Sequence, residues 1–256
     1  MRIVLISQDW VDCSAGGIAT ITAALAIGLH ELGVDVEVWT RGGGRRGRTI
    51  RESARSDSSH PFVVRPLPGR NWRKRGQGHW RRGLSSLLPK VQPDLVILTT
   101  WEPLDALSAA LACVQVAPPE VAVMAHGRDV TGTIDSVRRR RRERAWRTDV
   151  RWLVLSHWLA GELARRGVAV DRISQIPAAV LDLPEQPVRD TRPPTTLMTV
   201  GRLIPRKGQD VVIEALSLLK SKHPDLRYLV VGDGPCLLYT SPSPRDATLS
   251  RMPSSA

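Results

Sequence analysis

Cysteine, aromatic residues and long apolar runs are all scarce in this 256-residue chain. The three cysteines (Cys13, Cys113 and Cys236) form no C-x-x-C pair and have no partners at metal-ligand spacing. That argues against a disulfide framework and a zinc site, and suits a reducing compartment. Aromatics make up 4% of the chain, and eight of them are tryptophan. No apolar run approaches the length of a membrane span. The opening MRIVLISQDW has an apolar core of only four residues, too short for a signal-peptide core. A soluble cytoplasmic protein is therefore the expectation. Two nucleotide-site signatures are also missing: the first glycine loop, AGGIAT, lacks G-x-G-x-x-G, and there is no Asp-x-Asp loop. Asp35 to Glu37 reads DVE, but it falls within a strand pattern and is expected to be surface.

Hydrophobic residues are plentiful at 42%, enough for a sizeable core and two domains. Net charge is +12, unevenly placed. Residues 41–82 hold 13 Lys and Arg against two acids, and residues 138–147 hold seven Arg against one. The remainder is net acidic, so the basicity needs a local explanation.

Apolar patterning alternates between strand and helix. RIVLIS reads as a buried strand and is followed by Gly16-Gly17. Helical spacing then places Ile18, Ile21, Leu25, Leu29 and Leu32 on one face, and Gly33 closes the helix. VDVEVWT, PDLVILTT, EVAVMAH, RWLVLS and RISQIP read as further strands, with PLDALSAALACV and HWLAGELARRG as helices. This rhythm indicates a doubly wound α/β domain, in which ligands bind beyond the carboxyl ends of the strands. Gly16, His126 and Ser156 fall at such ends. A proline-rich, aperiodic stretch follows, and a second βαβ pattern runs from TLMTV through QDVVIEALSLLKSK to LRYLVVGDGP. The expected domains are 1–177, a linker at 178–196, and the start of a second α/β domain at 197–235.

Within that second pattern, VGRLIPRKGQ places Arg202 and Lys207 between a buried strand and a helix beginning near Gly208. A helix N-terminus offers unpaired N–H groups and partial positive charge. Gly201 lets backbone approach a ligand closely, and two added cations suit a diphosphate better than a single carboxylate. Solvated loop charges fit the same spacing.

The string VGRL…KG…GDGP resembles the start of the C-terminal domain of family 4 glycosyltransferases (glycosyltransferase group 1), which have the GT-B fold. SAGGIATITAALAIGLHELGVDVEVWT is similar to the family's N-terminal glycine loop and first helix, VMAHGRDV to its His-Gly segment, and VLSHWLAGELARRGVAVDRISQIP to its last N-terminal strand–helix–strand. The resemblance implies two Rossmann-like domains, the second incomplete here, and retaining, metal-independent transfer from a nucleotide-sugar donor. No cofactor is implied. It implies that Arg202 and Lys207 hold the donor diphosphate, with Gly16, Gly17 and Gly201 giving room, and that His126 lies near the transferred sugar. Asp129 is a further candidate, although an Asp in that position is also ordinary turn chemistry. The family's paired glutamates of the second domain have no counterpart, and Ala178-Ala179 replaces its usual Asn-Gly.

Cations at the departing diphosphate would stabilise a transition state in which negative charge grows there. An oxidoreductase fits less well, because Glu37 is a poor ribose-binding acid. A sugar-nucleotide epimerase shares the GT-B fold. A nucleic-acid-binding protein would suit the charge, with Trp and Arg interleaved in RNWRKRGQGHWRRG. No nucleic-acid partner is expected, however. An anionic membrane surface is the alternative partner, with Trp72 and Trp80 as aromatic anchors; plain solvated Arg-rich surfaces are the simpler reading.

Residues 236–256 read CLLYTSPSPRDATLSRMPSSA. One reverse translation of CLLYTSPSPRD resembles a transposase sequencing adapter, and one of SRMPSSA resembles the adapter's far end. The tail is expected to be non-native, the transferase chain to continue beyond Pro235, and the 256-residue chain to be inactive.

Overall fold

The computed structural model describes residues 1–8, 10, 16–41, 60–67, 77–178 and 196–234. The chain divides into two compact units, Met1–Pro184 and Glu185–Ala256. The adapter-like tail, nearly all of the expected linker, Trp72 and most of the basic stretch 41–82 lie outside the described residues.

The first unit is built on a seven-stranded sheet in the order β3-β2-β1-β4-β5-β6-β7. Its strands are β1 (Arg2–Ser7), β2 (Asp35–Arg41), β3 (Val63–Leu67), β4 (Leu95–Leu98), β5 (Glu120–Ala125), β6 (Arg151–Val154) and β7 (Ile173–Gln175). Every neighbouring pair is parallel. Helices α1 (Gly17–Glu31), α2 (Gln77–Val91), α3 (Leu104–Leu111), α4 (Arg128–Thr131), α5 (Ser136–Arg147) and α6 (His157–Arg165) lie between the strands in the chain. The fold is α/β with a parallel sheet, as the alternation indicates.

Strand alternation sends residues to two cores. Val4 and Ile6 of β1 join Trp80, Leu84 and Leu88 of α2 and Leu159 and Leu163 of α6 in one cluster. Ile3 and Leu5 face the other way, toward Ala23 and Ala26 of α1 and toward Trp10 and Phe62. The packing face of α1 differs from the expected Ile/Leu stripe. Its buried residues are Ala19, Thr22, Ala23, Ala24 and Ala26, while Leu32 is 81% exposed. Small side chains bring this helix close to the sheet, and the larger apolar residues flank the contact.

Two elements in the basic stretch escape the apolar pattern. β3 contains Arg65 and Pro66, which an edge strand tolerates because its outer backbone groups need no ladder partner. α2 carries Trp80, Leu84, Leu88 and Val91 at helical spacing among glycines and arginines, and all four are buried. Trp80 is only 2% exposed, so it is a core residue rather than a membrane anchor. Glu37 also departs from expectation. It is buried, accepts from Trp39 Nε1 at 2.9 Å and pairs with Arg65 Nε at 2.7 Å. Burial acts to raise its pKa, but the Arg65 and Trp39 hydrogen bonds outweigh that and hold Glu37 below the usual carboxylate value.

The second unit contains parallel strands β8 (Thr196–Val200) and β9 (Arg227–Val231), a 3-10 turn at Pro205–Lys207 and helix α7 (Gln209–Leu219). None of its described residues is buried, and Met198, Val200, Val211, Ile213 and Leu218 are all exposed.

Candidate functional site

In the first unit the sheet order reverses between β1 and β4, the position where open parallel sheets form a ligand crevice at their carboxyl ends. Polar groups from three strand ends meet there. His126 follows β5, and its Nε2 lies 2.8 Å from the Thr99 carbonyl oxygen just past β4. A carbonyl only accepts, so Nε2 carries the proton and Nδ1 is an acceptor in the neutral ring. Burial lowers the His126 pKa, with the Thr99 carbonyl and Glu102 opposing. The lowered pKa favours the neutral imidazole at pH 7.

Asp129 supports this segment. Its Oδ1 accepts the His126 backbone N–H at 2.8 Å, and Gly127 takes a left-handed φ of 78° that allows the turn. The Thr131 N–H donates to the Gly127 carbonyl at 2.8 Å, continuing the turn into α4. Asp129 is thus bonded to the loop backbone, with Oδ2 sealed from solvent and without a hydrogen-bond partner among the described residues. Burial raises its pKa to about 6, against the His126 amide and Arg142. Arg142 closes the loop from below, donating to the Asp129 carbonyl at 3.2 Å and the Gly132 carbonyl at 2.9 Å.

A second group was not anticipated from sequence. Gln8 leaves β1, and Thr100 and Glu102 follow β4. Gln8 Nε2 donates to Thr100 Oγ1 at 3.0 Å and reaches Glu102 Oε2 at 3.4 Å. Arg138 Nη2 donates to Glu102 Oε1 at 3.0 Å, while Arg141 bonds the Glu102 carbonyl at 2.9 Å and Asp105 at 2.6 Å. Burial raises the Glu102 pKa; Thr100 and Arg138 act against it and Asp129 with it. The Arg run is therefore not a uniformly solvated face. Arg138, Arg141 and Arg142 turn inward, whereas Arg140, Arg144 and Arg147 are exposed. The only sequence signal for Glu102 was an acid just past the strand PDLVILTT.

Gly16 and Gly17 lie at the start of α1, where the Gly16 carbonyl accepts the Thr20 N–H at 3.1 Å. A Cβ at either glycine would meet nothing within 4 Å. Among the described residues nothing crowds them, and no acidic side chain sits in the first turn of α1.

The other candidates belong to the second unit. Arg202 follows β8, and its carbonyl accepts from Gln209 Nε2 at 3.4 Å. Lys207 ends the 3-10 turn, and its ammonium lies over Gly201, with Nζ 3.9 Å from where a Gly201 Cβ would be. Gly208 adopts φ 68°, ψ 25° and caps α7 with left-handed backbone. Both cations are exposed. The GDGP glycines serve backbone approach: a Cβ on Gly232 would fall 2.0 Å from the Gly201 oxygen, and one on Gly234 2.2 Å from the Leu203 oxygen. The loops after β8 and β9 are thereby zipped together, with Gly201 N–H bonding Val231 O at 2.8 Å and Leu203 N–H bonding Asp233 O at 2.9 Å. Among the described residues no cluster of three or more His, Cys, Asp or Glu could hold a metal, and no helix is long and apolar enough to cross a membrane.

The family profile described as Glycosyltransferase Family 4 matches residues 15–181. The chain belongs to this glycosyltransferase family. A second profile, glycosyl transferases group 1, matches residues 183–240 of the family 4 chain. A GDP-mannose-dependent alpha-(1-6)-phosphatidylinositol monomannoside mannosyltransferase from Mycolicibacterium smegmatis is 39% identical over 71 residues, 28% of this chain and 18% of the relative. The phosphatidylinositol N-acetylglucosaminyltransferase GPI3 subunit of Saccharomyces cerevisiae is 32% identical over 81 residues, again 28% of this chain and 18% of the relative. The crystal structure of Anabaena Alr3699/HepE in complex with UDP and glucose shares the GT-B fold. Its TM-score is 0.63 at 15% identity, covering 93% of the family 4 chain and 63% of that structure.

Proposed function

We propose that this chain is part of a retaining, metal-independent glycosyltransferase that moves a sugar from a nucleoside diphosphate to a hydroxyl of a glycan, lipid or small-molecule acceptor. The observation that carries the reading is the Lys207 ammonium folded over Gly201, beside the left-handed Gly208 that opens α7. Arg202 supplies a second exposed cation from the end of β8. The two stabilise charge on the departing diphosphate. His126 and the open space before Gly16 and Gly17 serve the sugar side, with Nδ1 accepting a sugar hydroxyl. Family membership favours transfer over the epimerase reading. The names of the matched relatives support GDP- or UDP-linked donors and a phosphatidylinositol-based acceptor.

Peripheral contact with an anionic membrane belongs to the same reading. It draws support from the outward stripe of α5, where Val137, Arg140, Arg144 and Arg147 recur at helical spacing and are exposed. Transfer requires a more complete second domain, since nothing in the β8–α7–β9 unit is buried. A unit of this size without a core does not hold a binding loop rigidly. The 256-residue chain is accordingly inactive.

The test is nucleotide release by the complete gene product with UDP-glucose and GDP-mannose, across a panel of acceptors that includes phosphatidylinositol. Release that depends on acceptor, and is lost on Arg202→Ala or Lys207→Ala, supports the reading. Release that both variants retain would sink the site assignment.

A further inference from the structure

Gln8, Thr100 and Glu102 stand at the ends of two neighbouring strands where the sheet order reverses. The Gln8 amide nitrogen donates to the Thr100 hydroxyl at 3.0 Å and reaches the Glu102 carboxylate at 3.4 Å. An amide nitrogen has two hydrogens and no acceptor capacity, so both donors are used. Thr100 in turn hydrogen-bonds Glu102, and Arg138 fixes the other carboxylate oxygen from α5 at 3.0 Å. This determines the orientation of the amide, because a flipped Gln8 would set its carbonyl oxygen against the carboxylate. Gln8 Oε1 remains as an acceptor with no donor among the described residues. Across β4, His126 Nε2 is used by Thr99, which leaves Nδ1 as a second acceptor. Thr99 and Thr100 are consecutive, so the two acceptors flank the end of one strand.

We infer that Glu102 is a positioning residue that makes Gln8 a hydrogen-bond acceptor, so that this end of the first unit selects uncharged hydroxyl groups over anionic ones. Calling those hydroxyls a sugar's rests on the glycosyl-transfer reading. Two lone-pair groups, one on each flank of the β4 end, attract O–H donors. A carboxylate or phosphate brought to Gln8 Oε1 would oppose lone pair to lone pair, with the Glu102 carboxylate behind. The inward guanidinium of Arg138 does not reverse this, because it is bound to Glu102.

The probes are methyl α-D-glucopyranoside and its uronate, titrated into the 256-residue chain and followed by ligand-observed NMR. The neutral glycoside should bind at least about tenfold more tightly than the uronate. Glu102→Gln frees the Gln8 amide to turn and should reduce the preference to within about twofold, while Gln8→Lys, a donor in place of an acceptor, should reverse it. The Gln8 side-chain amide signals, identified by their loss in Gln8→Lys, should exchange slowly with solvent in the parent and rapidly in Glu102→Gln. A role for Glu102 confined to anchoring α5 through Arg138 would leave that exchange unchanged. The inference is overturned if the parent binds neither glycoside, shows no preference, or keeps its preference in Glu102→Gln. Should Glu102→Gln fail to fold, a neutral preference that persists in Gln8→Lys overturns it equally. Transfer by the complete protein without this preference would remove the inference and leave the reading; the preference without transfer would do the reverse.

Discussion

His126 Nε2 and the Thr99 carbonyl oxygen are 2.8 Å apart, and that contact ties the loop after β5 to the loop after β4. It fixes the tautomer, and burial lowers the imidazole pKa below its ordinary value. The ring should therefore remain neutral, with its proton on Nε2, as pH falls from 8 through the usual histidine pKa. Nitrogen-15 chemical shifts of the His126 ring report both features. A ring that is cationic at pH 7, or that carries its proton on Nδ1, would remove His126 as a hydroxyl acceptor.

Asp129 makes stability depend on pH. Its folded pKa, about 6, lies above the ordinary aspartate value of 3.8 because the carboxylate is desolvated. The folded state thus holds this proton more tightly than the unfolded chain. Its contribution is fully present below the unfolded pKa and is lost as pH rises through about 6. A shift of this size corresponds to about 3 kcal/mol. Asp129→Asn keeps an oxygen for the His126 N–H and cannot ionise. Urea unfolding should show the variant gaining up to about that amount on the parent between pH 4 and pH 8. Parallel pH profiles would show that Asp129 ionises without cost.

Much of the first unit was legible because its strands are short apolar runs bounded by glycine, proline and polar residues, the signature of a sheet covered on both faces. What was not legible depended on tertiary contact. Edge strand β3 tolerates Arg65 and Pro66 only because it has one neighbour. The packing face of α1 is alanine, which hydropathy spacing does not single out from its larger neighbours. His126 was visible at a strand end, but Gln8 and Glu102 become a pair only when β1 and β4 are placed side by side, 94 residues apart in the chain. Asp129 looked like turn chemistry and is that, bonded to the His126 amide.

Trp80 separates packing from membrane contact. It lies in the core with Leu84, Leu88 and Trp39, so Trp80→Ala should cost about 3–5 kcal/mol of stability. Replacing the outward arginines Arg140, Arg144 and Arg147 with glutamine should change stability little, yet weaken co-sedimentation with anionic vesicles, an effect that salt imitates. Vesicle binding indifferent to those three substitutions would leave the stripe as solvated charge.

Arg202 and Lys207 should each contribute on the order of 2–4 kcal/mol to the transition state if they meet the departing diphosphate. In the complete protein, alanine at either position should lower kcat/KM by roughly 1.5 to 3 orders of magnitude while leaving thermal unfolding unchanged. Both side chains are exposed, so loss of packing does not account for such a drop. Turnover equal to the parent in both variants would place the diphosphate elsewhere.

Gly232 tests whether the loops after β8 and β9 must touch. A Cβ there would sit 2.0 Å from the Gly201 carbonyl oxygen and 2.8 Å from its carbon, both backbone atoms that no rotamer change can move. Gly232→Ala should therefore separate the two loops and break the Gly201 N–H bond to the Val231 oxygen. Because Gly201 lies beneath Lys207, the ammonium would lose its placement along with the loop. Gly208→Ala is the control: it meets no atom within 4 Å and bears only the left-handed backbone cost, about 1–2 kcal/mol. Amide hydrogen exchange reads the difference. In the complete protein, Gly232→Ala should deprotect the Gly201 and Leu203 amides, whereas Gly208→Ala should leave them slow and loosen only the start of α7. Equal protection in all three proteins would mean that the loops are not held by this close approach.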